Sequence, residues 1–234
     1  MLVVPGSFQD GNNLMTPESR TRRRIASRFS RRRDRIYIHG KLATDPVYAA
    51  TASAIAGRRL PLLDIGCGLG LLGHYLHACD ALDGYLGLDH DPQKIAMGRA
   101  AADRAGLGAS IALSEVDATT PQAMRGHVAL LDVLHYLPED RQADLLAYAV
   151  DHLADDGVLI LRNVIRDGTW RYRATVWEEK FIEAVGWIPG GAQYFPTEDD
   201  IRGVLEPRGI QVDFQPLFGR TPYNSYLMVA SRHV

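Results

Sequence analysis

Cysteine is scarce in this chain: Cys67 and Cys79 are the only two in 234 residues, and both lie in apolar stretches. Two thiols so placed exclude a disulfide framework and fit a reducing, cytoplasmic setting. Long apolar runs are missing as well. Leu2 to Val4 is the whole apolar stretch before the first polar residues, too short for the core of a signal peptide. Nothing elsewhere in the sequence is long enough to span a membrane. Aromatic side chains are few beside the arginine-rich start, only Phe29 and Tyr37, so a surface for stacking nucleic-acid bases is poorly provided there. Internal repeats and interdomain linkers are also lacking. What remains, at 46% hydrophobic residues, is enough to bury a full sheet between two helical layers in one domain.

The most informative stretch is LLDIGCGLG, Leu62 to Gly70. Leu60, Leu62, Leu63 and Ile65 form a short apolar run, as expected for a strand buried on both faces of a parallel sheet. Gly66, Gly68 and Gly70 let the backbone turn sharply and approach a ligand. Leu71, Leu72, Tyr75 and Leu76 then recur at helical spacing, so a helix opens with its free N–H groups facing the turn. Gly68, Gly70 and Gly73 also satisfy the dinucleotide fingerprint G-x-G-x-x-G, so spacing alone leaves NAD and S-adenosylmethionine both open. Asp64 separates them. A carboxylate two positions before Gly66 repels a pyrophosphate but suits the ammonium of a methionine moiety. Tyr85 to Leu88 read as a second strand ending at Asp89, an acid placed to accept from ribose hydroxyls of either cofactor.

At these residues the chain resembles the class I S-adenosylmethionine-dependent methyltransferases, from about Leu60 to the C-terminus. LLDIGCGLG matches the family's first motif and YLGLDHD its second, with His90 beside Asp89. SEVDAT, Ser114 to Thr119, resembles the third, which implies that Asp117 accepts from the adenine amino group while Ala118 packs beside the ring. VALLDVLHYL, Val128 to Leu137, resembles the fourth and places Asp132, His135 and Tyr136 near the transferable methyl. GVLILRN, Gly157 to Asn163, fits the fifth strand. The resemblance implies an α/β fold with a doubly wound, mostly parallel seven-stranded sheet and an antiparallel last strand, the site lying outside the carboxyl ends of the strands. It also implies S-adenosylmethionine as cofactor, held by Asp64, Gly66, Cys67, Gly68, Gly70, Asp89, His90, Asp117, Ala118 and Asp132. Cys67 enters this set as a small residue of the turn, with no chemistry of its own. Related enzymes bring a cationic or tyrosyl group to the methionine carboxylate from the segment before the core. Lys41, in an expected loop from Tyr37 to Thr44, is the candidate here, though an ordinary exposed lysine explains it equally well.

Methyl transfer is an in-line displacement that gains most from holding nucleophile and methyl close and aligned. An acidic acceptor also needs a base, and His135 is the histidine best placed by motif position, with Asp132 as its orienting group or as a cofactor contact. A histidine that merely packs at a strand end is the competing reading. Tyr136 is a candidate wall of the methyl site. The segment after the fifth strand, residues 165 to 196, is the candidate acceptor pocket, with Arg166 for a carboxylate or phosphate and Trp170, Tyr172 and Trp177 as aromatic walls. For any one of these aromatics, packing of a cover helix is the simpler account. Together they favour a flat or unsaturated small molecule, methylated on oxygen or carbon. His74 and His77 lie three apart, but no third ligand follows at a recognised spacing, so no metal site is expected.

Charge is unevenly spread. Nine arginines against one aspartate between residues 20 and 35 give +8; with a total of −2, the rest of the chain carries −10. Residues 1 to 35 read as a basic, flexible leader ahead of a single domain at 36 to 234, since charge-rich segments without apolar periodicity seldom fold alone. Its functional reading is a docking arm for an acidic carrier protein, a phosphate-bearing substrate or nucleic acid. Nucleic-acid amine methylation is disfavoured, because the family members that perform it resemble one another in an Asp/Asn-Pro-Pro-Tyr/Phe stretch where this chain has Asp132-Val133-Leu134-His135. IYIHGKLATDPVY together with LLDVLHYLP resembles methyltransferases of bacterial aryl-polyene and polyketide-like pathways, whose acceptors are aromatic rings or carrier-bound acyl chains. The alternatives are an NAD-dependent oxidoreductase, an RNA methyltransferase using the basic arm, and a non-catalytic protein that keeps the cofactor fold.

Overall fold

The computed structural model describes residues 17–120, 122–184, 192–218 and 224–232. Its centre is a seven-stranded sheet in the order β3-β2-β1-β4-β5-β7-β6. The strands are β1 (Leu62–Ile65), β2 (Tyr85–Asp89), β3 (Ile111–Glu115), β4 (His127–Leu131), β5 (Leu159–Val164), β6 (Ile210–Pro216) and β7 (Ser225–Arg232). β1 runs parallel to both β2 and β4, whereas β7 is antiparallel to its neighbours β5 and β6. The expected fold class is the observed one. Connections leave β1 towards one edge and β4 towards the other, so the crevice of the doubly wound sheet opens above the ends of β1 and β4.

Alternation along the central strands feeds two cores. Leu62, Ala129 and Ile160 face one cluster, while Leu63, Ile65, Val128, Leu130, Leu159 and Leu161 face the other. The second face is covered by α6 (Glu139–Asp151) and α8 (Glu198–Leu205) through Leu145, Leu146, Ile201 and Leu205. Thr197 starts α8 with a reciprocal capping box: its hydroxyl accepts from the Asp200 N–H at 3.1 Å and the Asp200 carboxylate accepts from the Thr197 N–H at 2.8 Å. The first face is covered by α4 (Leu71–Ala78), α5 (Pro92–Arg104) and, upstream, α1 (Ser19–Ser27), α2 (Arg32–Thr44) and α3 (Val47–Ala54).

Those upstream helices correct the expected leader. From Ser19 onward the segment is helical, and Ile25, Phe29, Ile38 and Leu42 are at most 3% exposed in the same core as Tyr75 and Leu76. The expected boundary at residue 35 therefore falls inside α2; residues 1–16 lie outside the described ones. One apolar residue every four or more positions is enough to seat each helix, because the sheet and α4 supply the rest of the burial. The expected loop at Tyr37 to Thr44 is likewise part of α2. Asp45 precedes the next helix, whose N-cap position is Pro46, and accepts from its first N–H, that of Val47, at 3.1 Å. After β5 comes α7 (Trp170–Ala184), on which Thr175 is buried and Trp170 and Trp177 are 67% and 79% exposed. Among the described residues, neither ring belongs to either buried core. Trp187, a further aromatic of that segment, lies outside the described residues.

Candidate active site

β1 ends in a turn made by three left-handed glycines, with φ of 77°, 56° and 69° at Gly66, Gly68 and Gly70. The N–H groups of Gly66 and Cys67 both donate to the Leu88 carbonyl, at 2.7 and 2.9 Å, which ties the turn to the end of β2. Gly68 N–H donates to Asp89 Oδ2 at 2.8 Å, and Asp91 N–H to Asp89 Oδ1 at 2.9 Å. The Asp89 carboxylate is thus held at the rim of the turn, 8% exposed, with acceptor capacity left on each oxygen. A Cβ on Gly66 would stand 2.4 Å from Val133 Cγ2, so the loop after β4 is packed onto the turn. On Gly73 it would meet the Tyr85 ring at 2.7 Å, which makes that third fingerprint glycine a packing residue between helix and strand.

Asp64 lies beneath this turn, on the same face of β1 as Leu62, and accepts a hydrogen bond from the Tyr85 hydroxyl. Burial pushes its pKa up to about 7, with Asp89 adding to the rise and the Tyr85 hydroxyl opposing it. No side-chain cation pairs with Asp64 among the described residues. A buried carboxylate without a counter-ion, with a second carboxylate at the rim, suits a cationic, hydroxyl-bearing nucleoside and opposes a pyrophosphate. The residues present therefore fit S-adenosylmethionine. Asp117, after β3, accepts from the N–H and hydroxyl of Thr119 at 3.1 and 3.0 Å and is exposed, while Ala118 packs on the second core. The backbone hydrogen bond from Thr119 lowers the Asp117 pKa. His90 has its side chain 91% exposed, with Nδ1 3.8 Å from Asp89 Oδ1. Burial raises the Cys67 thiol, and its Sγ occupies the space beside Gly87.

β4 runs into Asp132, a non-glycine residue at φ 59°, and then into a short 3-10 turn, Leu134–Tyr136. Asp132 does not orient His135, as the sequence suggested. Arg162 of β5 takes it instead, with Nε at 3.0 Å and a second contact from its terminal nitrogen, and also holds Asp45. Lys41 sits 3.5 Å from Asp45 on the outer side of the same cluster. Burial would weaken the Arg162 charge, yet Asp132 and Asp45 raise its pKa above the ordinary value. For Asp45 the cost of burial is outweighed by Arg162 and Lys41, which lower its pKa. Two cations thus serve two carboxylates and pin α3 to the ends of β4 and β5.

His135 is 4% exposed and its Nδ1 lies 2.8 Å from Asn163 Oδ1. Phe195 stacks on the imidazole at a centroid distance of 5.8 Å and an interplanar angle of 16°. The Tyr136 ring lies against the imidazole, tilted by 45° at a centroid distance of 4.1 Å. Gln142 donates to the carbonyls of Leu134, Leu137 and Tyr194, fixing the turn that carries the ring. Tyr172 meets Phe195 edge-on at 5.8 Å. Arg166 is engaged by Tyr194, donating to its hydroxyl at 2.6 Å and lying 4.9 Å from its ring centroid. Of the expected acceptor residues, Tyr136 touches His135 directly and Tyr172 reaches it through Phe195, while among the described residues no ring contact joins Trp170 or Trp177 to it. Arg162, Asn163, Gln142 and Phe195 were missed. Two polar residues closing the apolar strand GVLILRN are the signal that could have found the first pair, since a buried strand seldom ends on an arginine and an amide without partners for them.

A family model described as a methyltransferase domain matches residues 62–157, from the start of β1 to just before β5. Residues 62–157 carry a methyltransferase domain. This sets aside the oxidoreductase reading that the glycine spacing had kept open. Among curated proteins, none matches the sequence. The fold is shared with magnesium protoporphyrin IX methyltransferase from Synechocystis, crystallised with S-adenosylhomocysteine, at TM-score 0.63 and 22% identity over 92% of this chain and 94% of that one. An O-methyltransferase family 2 protein from Planctomyces limnophilus, in complex with apigenin, aligns at TM-score 0.62 and 17% identity over 85% of this chain and 60% of its own. A methyltransferase from Clostridium acetobutylicum gives 0.60 and 14%, over 85% and 98%.

Proposed function

We propose that this protein methylates a small aromatic or unsaturated acyl acceptor, on oxygen or on an activated ring carbon, with His135 as general base. The observation that carries this reading is the placement of His135: a buried, stacked imidazole on the loop whose Val133 touches the glycine turn. Asp89, at the rim of the glycine turn, would hold the cofactor's nucleoside, Asp64 would meet its ammonium end, and Asp117 with Ala118 would border the adenine. Bound there, the cofactor supplies an electrophilic methyl group. His135 accepts the proton of a phenol or acidic C–H as the acceptor becomes nucleophilic, and Tyr136, Phe195 and Tyr172 exclude water around it. Aromatic acceptors are supported by this ring cluster and by the apigenin complex of the Planctomyces relative. A carrier protein delivering the acceptor is supported by the seven exposed arginines of α1, α2 and the turn between them, at positions 20, 23, 24, 31, 32, 33 and 35.

The test incubates the purified chain with methyl-labelled S-adenosylmethionine and a panel of hydroxyaryl and unsaturated acyl acids, free and loaded on an acidic carrier protein. Label transfer to such an acceptor, lost in His135→Gln with S-adenosylhomocysteine affinity retained, is the expected result. Transfer to RNA alone, or to no member of the panel, would overturn the reading.

A further inference from the structure

The hydrogen-bond pattern around Asn163 has one consistent assignment. The Asn163 side-chain nitrogen lies 3.0 Å from the Val164 carbonyl, which can only accept, so the amide NH2 faces that carbonyl and Oδ1 faces His135. Oδ1 can only accept in turn, at 2.8 Å from His135 Nδ1, so Nδ1 carries the ring hydrogen. The remaining lone pair of the neutral ring then belongs to Nε2, on the edge away from β5. Asn163 is fully buried on β5 between Arg162 and Val164, so no water competes for this contact. The carbonyl of His135 is held as well, accepting from Gln193 N–H at 2.8 Å, and Phe195 stacks on the ring and limits its rotation. We infer that Asn163 is the positioning residue of the reaction: it selects the Nδ1–H tautomer of His135 and so reserves Nε2 as the proton acceptor.

An amide does this differently from a carboxylate. It fixes the tautomer by geometry while adding no negative charge that would stabilise the protonated ring, so the base returns its proton readily after each turnover. The charge that could have filled this role, Asp132, is neutralised by Arg162 nearby. The inference rests on His135 being the base, and the experiment separates the two.

Nitrogen-15 spectra of the full chain, labelled at histidine and assigned by the signals that vanish in His135→Gln, read the tautomer directly. The wild-type ring is expected to show a protonated Nδ1 and an unprotonated Nε2, the reverse of what an unrestrained histidine prefers. Asn163→Leu should bring Nε2–H to prominence and lower kcat about 100-fold, with S-adenosylhomocysteine affinity unchanged. Asn163→Asp should restore the Nδ1–H form and move the acid limb of the rate profile to higher pH. A wild-type ring in the Nε2–H form overturns the inference, whether or not either variant folds. A correct wild-type tautomer with full methyl transfer by His135→Gln would overturn the base assignment and leave the tautomer lock in place.

Discussion

Asp64 occupies a position where burial and function pull against each other. Its folded pKa is raised from the ordinary aspartate value to about 7, chiefly by burial. A raised carboxyl pKa means the native state binds more protons than the unfolded chain between roughly pH 4 and 7, so stability falls as pH rises through that window. The full difference amounts to about 4 kcal/mol, taking ~1.4 kcal/mol per pH unit. Asp64→Asn keeps an acceptor for Tyr85 and removes the titration, so its melting temperature should hold level from pH 5 to 8 while that of the wild type declines. A cation brought next to Asp64 lowers its pKa again. Calorimetric titration with S-adenosylhomocysteine at pH 7, repeated in buffers of different ionisation enthalpy, should therefore show release of about half a proton per site. Equal heats in all buffers would mean that the ammonium of the ligand does not meet this carboxylate.

The element that depends most on a single side chain is α3 with the end of α2, because Arg162 reaches across from β5 to hold Asp45 as well as Asp132. Arg162→Met would leave Asp132 without a cation and Asp45 with Lys41 alone at a half-buried site. Loss of about 3–5 kcal/mol is expected from denaturant unfolding, with weakened S-adenosylhomocysteine binding as the loop at Asp132 relaxes. An unchanged unfolding midpoint would show that the cluster is solvated enough to be dispensable. The same region shows why only part of the molecule was legible in the sequence. β1, the glycine turn, α4, α6, α8 and the last two strands announce themselves by unbroken apolar runs, glycine punctuation and acidic helix starts. α1 and α2 do not, since their apolar residues are interrupted by arginines and only contact with α4 and the sheet makes Ile25, Phe29 and Ile38 a core. Lys41 was noted and its partner Asp45 lies one helical turn on, but the buried Arg162 behind them is 121 residues from Lys41 in sequence, and no local pattern joins it to the pair. His135 was legible from its motif, whereas its partner Asn163 comes from another strand and could be assigned only once β4 and β5 lay side by side. Phe29→Ala, which also removes an edge-on contact with His74 at 5.8 Å, should cost about 3–5 kcal/mol; a flexible leader would lose nothing.

Across the whole molecule the arginine helices form a basic cap on an otherwise acidic body, with +8 between residues 20 and 35 against −10 elsewhere. Folding the cap onto the body spends only part of this charge: Arg28 meets His74 at 2.8 Å and Arg22 turns to the Pro17 carbonyl, while seven others stay exposed. Exposed charges separated by more than about 8 Å are screened at physiological salt, so the cap interacts weakly with its own body and strongly with a partner that brings acid residues into contact. An acidic carrier loaded with an aromatic acyl group should therefore bind with an association rate that falls steeply with ionic strength, roughly 10-fold or more between 50 and 300 mM salt. Replacing Arg32, Arg33 and Arg35 together with glutamate should slow association to the same extent at low salt, while leaving turnover of the free acid and the affinity for S-adenosylhomocysteine unaltered. Stopped-flow measurement of carrier binding to both proteins tests this. A rate that ignored salt and charge reversal would assign the arginines a purely structural part, as the solvated outer faces of two helices held by Ile25, Phe29, Ile38 and Leu42.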